Sequence, residues 1–478
     1  MKILRLSILV CIFAMAMAGC AFRKYRAAPI SPSETATKFE GRTLDDPRFR
    51  EFLKNNLGPH VESWPPKTWD PAMLTLAALY FHSDMAVARA GVKVAEAGVV
   101  TGAARPNPSI AVALGFTFDN APSPWVFSIT PTIPIETAGK RGYRIQAAER
   151  STDVARLQLA ETAWGVRARL RTALLDLLSA RIDLDQLRSE EQVRTESAEL
   201  IGRRFEFGDI PRPDLDTAQI DLSNIRLAIR TGEGRIAQAR VALASGIGIP
   251  ASVLDGVELV WPDFDQPPTV SSLSPDLIQR TAVQNRLDIR RSLAEYAVTE
   301  ANLQLEIAKQ YPDVQLGPGY NFDAGTNKYT LGVSVTLPLF NRNQGPIGEA
   351  DARRKQAEER FLALQAQAIG DTQKALAGYR AALAELDEAT VALKMQQEKE
   401  RLVRKSFELG EADKLTLTGE LLQTAIATRT RVTRLSHVQD ALGALENTVQ
   451  KPLVPSWLVP SLPSSDSPRV DLLKEEHK

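Results

Sequence analysis

The sequence is short of almost everything an enzyme or a nucleic-acid binder would need. Its four histidines, His60, His82, His437 and His477, are scattered with no ligand spacing, so no metal site emerges. No paired carboxylates or nucleophile–base set can be assembled into a catalytic constellation, and Gly232-Glu233-Gly234 sits in a helical stretch without a preceding strand, so it is no phosphate cradle. Charge of one sign is not in excess: 58 Lys+Arg balance 58 Asp+Glu, whereas a nucleic-acid binder normally carries a basic surplus. Cysteine is nearly missing. Of the two, Cys11 would leave with a leader and Cys20 then has no partner, which excludes an intrachain disulfide and leaves stability to packing. The apolar run of residues 6–18 is too short for a permanent membrane helix, which takes roughly 20 residues.

That short run is informative in another way. Lys2 and Arg5 precede it and Gly19-Cys20 follow, the layout of a secretory signal over residues 1–19. Met17-Ala18-Gly19-Cys20 resembles a bacterial lipobox, with Met in place of the usual Leu, and Ala21 is not the Asp of an inner-membrane retention signal. The expected outcome is a lipid on Cys20, with residues 20–70 as a tether and outer-membrane anchoring.

The chain is written twice. Pro108-Ser109-Ile110-Ala111-Val112 has its counterpart in Pro312-Asp313-Val314-Gln315-Leu316, Thr132-Ile133-Pro134-Ile135 in Thr336-Leu337-Pro338-Leu339, and Arg204-Phe205-Glu206-Phe207-Gly208 in Ser406-Phe407-Glu408-Leu409-Gly410. The offsets are 204, 204 and 202 residues, far too long for a solenoid and right for a duplicated half-molecule. The halves are read as residues 71–250 and 275–451, with a linker at 251–274 and a Pro/Ser-rich tail at 452–478 that cannot continue a helix and is expected to be partly disordered.

Proline is absent from residues 136–210 and 347–451, and both stretches are rich in strong helix formers. Leu159, Ala163, Val166, Leu170, Leu174, Leu177, Leu184 and Leu187 recur at helical steps, the seam of a coiled-coil-like helix. Residues 140–205 as one helix would extend ~100 Å at 1.5 Å per residue, and residues 346–408 repeat the rod. Gly232 and Gly234 weaken their helix and predict a kink.

Between the helical stretches lie two hairpins of period 2. Ile110, Val112, Leu114, Phe116 and Phe118 alternate with Ser109, Ala111, Ala113, Gly115 and Thr117; Trp125, Phe127, Ile129, Ile133 and Ile135 return against Ser128, Thr130 and Thr132. The second half repeats this at residues 312–322 and 329–339, around a loop at 323–328. A half-buried soluble sheet also alternates. Beside an outer-membrane address and rod-length helices, a large apolar face opposite a small polar one fits a transmembrane barrel. Four strands cannot close one, and an open edge in lipid leaves backbone groups unpaired. Three copies would supply twelve strands around a water-filled lumen.

The pattern resembles the TolC family of outer-membrane factors across residues 70–450. The resemblance implies a mainly α fold with a small transmembrane β part: a homotrimer whose twelve-stranded barrel continues as a long α-helical barrel into the periplasm. It implies a passive duct rather than an enzyme, without cofactors, serving a periplasmic adaptor and an inner-membrane pump. Phe205, Gly208, Asp214 and Leu215, with Phe407, Gly410, Asp413 and Leu415, match the family's adaptor-docking tips. In physical terms the glycines are C-caps, Pro211 and Pro213 stop the first helix, and Asp214 and Asp413 cap the next. The family's periplasmic constriction points to Arg404, Glu408, Glu411 and Asp413 as gate candidates, with Arg404 and Glu408 as either an i,i+4 pair or an inter-subunit latch. Three-fold symmetry would turn each carboxylate into a cation-attracting ring. Pro338-Leu339-Phe340-Asn341-Arg342-Asn343-Gln344-Gly345 is similar to the strand-to-helix junction of members that serve resistance–nodulation–division pumps, notably the cobalt–zinc–cadmium type. Heavy-metal cations or drugs are the implied cargo. A periplasmic helical adaptor is the alternative, and it would lack the apolar-faced hairpins. A lipid-anchored hydrolase or metal-binding lipoprotein would need a residue cluster that the sequence does not offer.

Overall fold

The computed structural model describes residues 24–57, 64–118, 121–269 and 273–457. The signal, Cys20 and residues 458–478 of the tail lie outside them. The chain divides into two units at Arg42/Thr43. The first contains one helix, α1 (Pro32–Glu40), started by Ser31 and by proline in its first turn, with no buried residue.

In the second unit, α2 (Pro47–Leu57), β1 (Thr68–Trp69), α3 (Pro71–Phe81) and α4 (Ser83–Ala103) lead into a hairpin, β2 (Ser109–Phe116) and β3 (Trp125–Ile135). Two long helices follow, α5 (Lys140–Glu206) and α6 (Arg212–Ile247). After β4 (Glu258–Leu259) the plan repeats: α7 (Pro275–Asn285), α8 (Leu287–Ala308), β5 (Val314–Asp323), β6 (Thr326–Val335), α9 (Gln344–Glu408) and α10 (Lys414–Val449). With 67 and 65 residues, α5 and α9 are rods of roughly 100 Å.

Both rods end alike. The amide of Gly208 donates to Phe205 O at 2.9 Å and that of Asp209 to Arg204 O at 2.9 Å; Gly410 donates to Phe407 O at 3.0 Å and Glu411 to Ser406 O at 2.8 Å. These are paired Schellman caps, and the left-handed φ of +77° and +78° at the two glycines explains the residue choice. The next helices start differently. Asp413 caps α10, accepting from Thr416 N at 2.7 Å. Asp214 does not cap α6, contrary to expectation: that helix begins at Arg212 behind Pro211. Pro213 stands in its first turn, where a missing N–H costs nothing, and Asp214 sits inside that turn, favourable to the helix dipole. Gly232 and Gly234, read from the sequence as a kink, lie within one unbroken helix, α6. Gly232 lets α5 approach, since a Cβ there would lie 3.3 Å from Leu184 Cδ1.

The core gathers at one level of the rods. Val166, Leu170 and Leu174 of α5 are fully buried, and they share one cluster with Leu435, Leu442 and Leu445 of α10 and with the apolar helix α3. Glycine is required where α6 ends against α3: Gly248 has φ +91°, and a Cβ there would lie 2.8 Å from Phe81 O. The flanks join this core. Phe49 and Leu53 of α2 are buried, β1 pairs in parallel with β4, and Trp457, in the short helical turn Pro455–Trp457, is fully enclosed. Residues 47–57 and 453–457 therefore build the larger unit, where the sequence suggests a tether and a loose tail. The aromatic cluster of Phe49, Trp64, Trp69, Tyr80 and Phe81 is what holds α2 there. Toward the tips burial thins to a satellite cluster of Leu184, Leu187, Ile225 and Ile229.

Candidate functional site: an apolar sheet face and a charged seam

The two hairpins form one antiparallel sheet in the order β2-β3-β5-β6. Its register places like beside like. Val112 pairs with Ile129 and Leu114 with Phe127; Ile129 then pairs with Tyr320 and Ile133 with Leu316; Leu316 pairs with Val333 and Tyr320 with Tyr329. Because side chains alternate across a strand, one face is a continuous apolar surface running over both repeats. The other carries Ala113 beside Ser128, Ser128 beside Asn321, Gly317 beside Gly332 and Gln315 beside Ser334. The apolar side chains of β2 and β6 are exposed, and both strands are open edges of the sheet. The strand limits differ from expectation: β2 stops at Phe116, and Ala324 and Gly325, at φ +47° and +113°, make a two-residue connection so that β6 starts at Thr326; it ends at Val335, short of 339.

A second feature lies outside what the sequence predicts. Helices α5 and α10, from different repeats, are joined by a series of polar contacts along their common length. Arg167 Nη2 lies 3.0 Å from Glu446 Oε2, and Arg171 Nε lies 3.3 Å from the same oxygen. Farther down, Arg429 reaches Asp183 at 3.0 Å and Glu190 at 3.5 Å, and Lys414 reaches Glu196 at 2.8 Å. At the tip Arg204 stands 3.8 Å from Asp413. The seam is graded: Arg167 and Glu446 are 0% exposed, while Arg204 and Asp413 are about half exposed, at 45% and 59%.

The buried end is closed by aromatic rings and by the short turn that holds Trp457. The Arg167 guanidinium lies 4.6 Å from the Trp164 ring centroid and 5.1 Å from that of Trp457, and Arg171 lies 5.2 Å from Trp261. Glu446 also accepts from Leu453 N at 2.7 Å, and Gln439 receives Arg171 Nη1 on its backbone carbonyl at 2.7 Å. Burial pulls the pKa of Arg171 down to about 10, with the Glu446 charge opposing the shift. The clue in the sequence is two arginines four residues apart on the apolar stripe of α5, facing a glutamate set among Leu442, Leu445 and Val449 of α10.

At the tips the two repeats are again alike. Arg212 packs over the Phe205 ring at 5.9 Å and Lys414 over Phe407 at 5.8 Å. Phe205, Leu215, Phe407 and Leu415 are half-buried, so the side chains presented outward are their neighbours Phe207, 82% exposed, and Leu409, 66% exposed. Asp214 is exposed. Arg404 pairs with Glu400 at 2.6 Å and not with Glu408 as expected, because helical side chains lean toward the N-terminal turn and an acid four residues before a base is the better order. Glu408 and Glu411 join no ion pair among the described residues. Asp413 is held below the usual carboxylate range, chiefly by its hydrogen bonds with Thr416, with a smaller pull from Arg204.

An open two-edged sheet, rods of this length and a duplicated plan meet in one family model. The outer membrane efflux protein model matches residues 77–248 and 278–448. The chain belongs to the outer membrane efflux protein family. It is an outer-membrane efflux channel of the TolC type, and that family and fold are those of passive channels, not of enzymes. Among curated relatives, the cobalt-zinc-cadmium resistance protein CzcC of Cupriavidus metallidurans is 27% identical over 304 residues, 63% of this chain and 70% of that protein. Among solved structures, CusC aligns with a TM-score of 0.65 at 16% identity, covering 83% of this chain and 96% of its own. The MtrE outer membrane channel of Neisseria gonorrhoeae, in its open state, aligns with a TM-score of 0.63 at 16% identity over 80% of this chain and 89% of its own. These likenesses show the fold. No group of three or more potential metal-ligating side chains lies together among the described residues.

Proposed function

We propose that three copies of this chain close their sheets into one twelve-stranded barrel and work as the exit duct of a tripartite pump. A periplasmic adaptor engages the tips, and an inner-membrane transporter of the resistance–nodulation–division type supplies the energy. The observation that carries this reading is the continuous apolar face of a sheet whose two edges are both unpaired: lipid suits the face, and only strands of further copies suit the edges. Residues 1–19 act as the signal, Cys20 carries the lipid, and residues 20–42 lead from it. Residues 71–250 and 275–451 act as the two structural repeats.

The lower seam serves as the closed state of the duct. Arg204–Asp413 and Lys414–Glu196 tie the two helical hairpins of one chain near their tips, while Glu408 and Glu411 remain available to form rings around the three-fold axis. Phe207 and Leu409, with Gly208 and Gly410, offer the adaptor a repeated docking knob. The name of the relative from Cupriavidus metallidurans supports divalent heavy-metal cations as cargo. Growth of a deletion strain on cobalt, zinc and cadmium, compared with growth on hydrophobic drugs, separates metal from drug export.

The barrel is tested by placing a charge on either face of one strand. Val333→Arg is expected to cost roughly 2–4 kcal/mol of insertion at mid-membrane and to abolish the trimer in mild detergent. Ser334→Arg, one residue away on the polar face, is expected to insert and to change single-channel selectivity. A protein that is monomeric in mild detergent and forms no pores in planar bilayers would overturn the proposal.

A further inference from the structure

The repeats diverge where each leaves the sheet. At an offset of 204 residues, Glu136, Ala138 and Lys140 of the first junction stand where the second has Phe340, Arg342 and Gln344. The first junction is tied inward: Lys140 donates to Tyr311 O at 2.6 Å and to Asp313 at 2.7 Å, Thr137 Oγ1 donates to Pro312 O at 2.7 Å, and Glu136 pairs with Arg144. The second is held through Asn343, whose Nδ2 donates to Glu306 O at 2.8 Å and to Glu306 Oε2 at 2.9 Å, while its flanking residues face outward. Phe340 is 96% exposed, Leu337 and Leu339 are exposed just beyond the end of β6, and the Arg342 side chain has no partner among the described residues. Gln310, Phe340, Arg342, Gln344 and Ile347 line an open groove there. Arg342 N donates to Gln344 Oε1 at 2.7 Å, which fixes the turn that presents the guanidinium.

We infer that this second junction is a seat for the phosphate of an anionic phospholipid in the inner leaflet, with Arg342 as the cation and Leu339 and Phe340 as anchors beside it. The inference rests on the proposed membrane orientation and adds a ligand to it. Exposed apolar side chains directly following the apolar-faced strand β6 and a free guanidinium beside them both favour a lipid headgroup over water. The sealed first junction offers neither, so each chain has one such seat.

The test uses the full-length protein with Phe340→Trp, reconstituted with dibrominated phosphatidylglycerol or dibrominated phosphatidylcholine. Subtracting the parent's emission isolates the new indole, and Trp125, which lies on the apolar face of the sheet, serves as the control for membrane insertion. Phosphatidylglycerol is expected to be preferred at the new indole by about fivefold. Adding Arg342→Gln is expected to bring that preference to one while Trp125 quenching is unchanged. Equal quenching by both lipids with Arg342 present overturns the seat. So does an indole shielded from both lipids and from aqueous iodide, which would mean that a neighbouring copy covers the groove. Loss of Trp125 quenching overturns instead the membrane reading on which the seat depends.

Discussion

The two ends of the seam between α5 and α10 use the same chemistry in opposite settings. At the buried end two guanidiniums share one carboxylate under aromatic rings, and every charged group is out of water. At the tip, similar charges meet in solvent at 2.8 and 3.8 Å. An enclosed pair is costly to break because removing one partner strands the other, whereas a surface pair contributes little and is screened by salt. The difference teaches how one continuous contact can hold firm at one end and part at the other. The buried end fixes the repeats to each other, and the tip is left close to balance.

Breaking the buried end is the largest test. Glu446→Ala, which leaves two arginines without their carboxylate, is expected to cost about 3–5 kcal/mol, read as a fall in the thermal midpoint of the purified protein. Trp457→Ala is expected to destabilise by a comparable ~3–5 kcal/mol through the cavity left over Arg167; no change in either would deny that the turn at Trp457 belongs to the core. At the tip, Asp413→Ala removes a helix cap worth ~1 kcal/mol, and Asp413→Asn keeps a cap while deleting the charge. Both are expected to raise conductance, with only the alanine lowering stability. The pH dependence has a definite sign. Because the folded-state pKa of Asp413 is lowered, its contribution is present above the ordinary carboxylate range and is lost as pH falls through that lowered value. Channel opening in the parent should therefore rise in acid and should not in Asp413→Asn. The smallest effect is expected from Glu196→Gln, at roughly 0.2–1 kcal/mol for an exposed pair, visible in conductance at low salt and absent at high salt.

Much of this fold is legible in the sequence because it is made of long periodic elements. A proline-free run fixes a helix, and strict alternation fixes a strand and its faces, so the rods and the apolar sides of the hairpins can be read from residue order alone. The register across the two repeats cannot, since it depends on strands far apart in the chain. Asp214 is misplaced by sequence reasoning because proline is welcome in a first turn, which moves the helix start ahead of it. Arg404 is misassigned because Glu400 and Glu408 are equally spaced from it, and spacing does not choose between them. The buried arginines escape notice because a charged side chain on an apolar stripe reads as an exposed neighbour until its partner on another helix is known.

The free edges of the sheet belong to different repeats, β2 to the first and β6 to the second. Any ring that joins them is therefore head-to-tail: each copy gives its second-repeat edge to the first-repeat edge of the next. Such a ring has no partial form without exposed strands, so a single defective copy spoils the closure for its two neighbours. A variant damaged at either edge should consequently poison the normal protein when the two are made together, more severely than its share of the mixture would suggest.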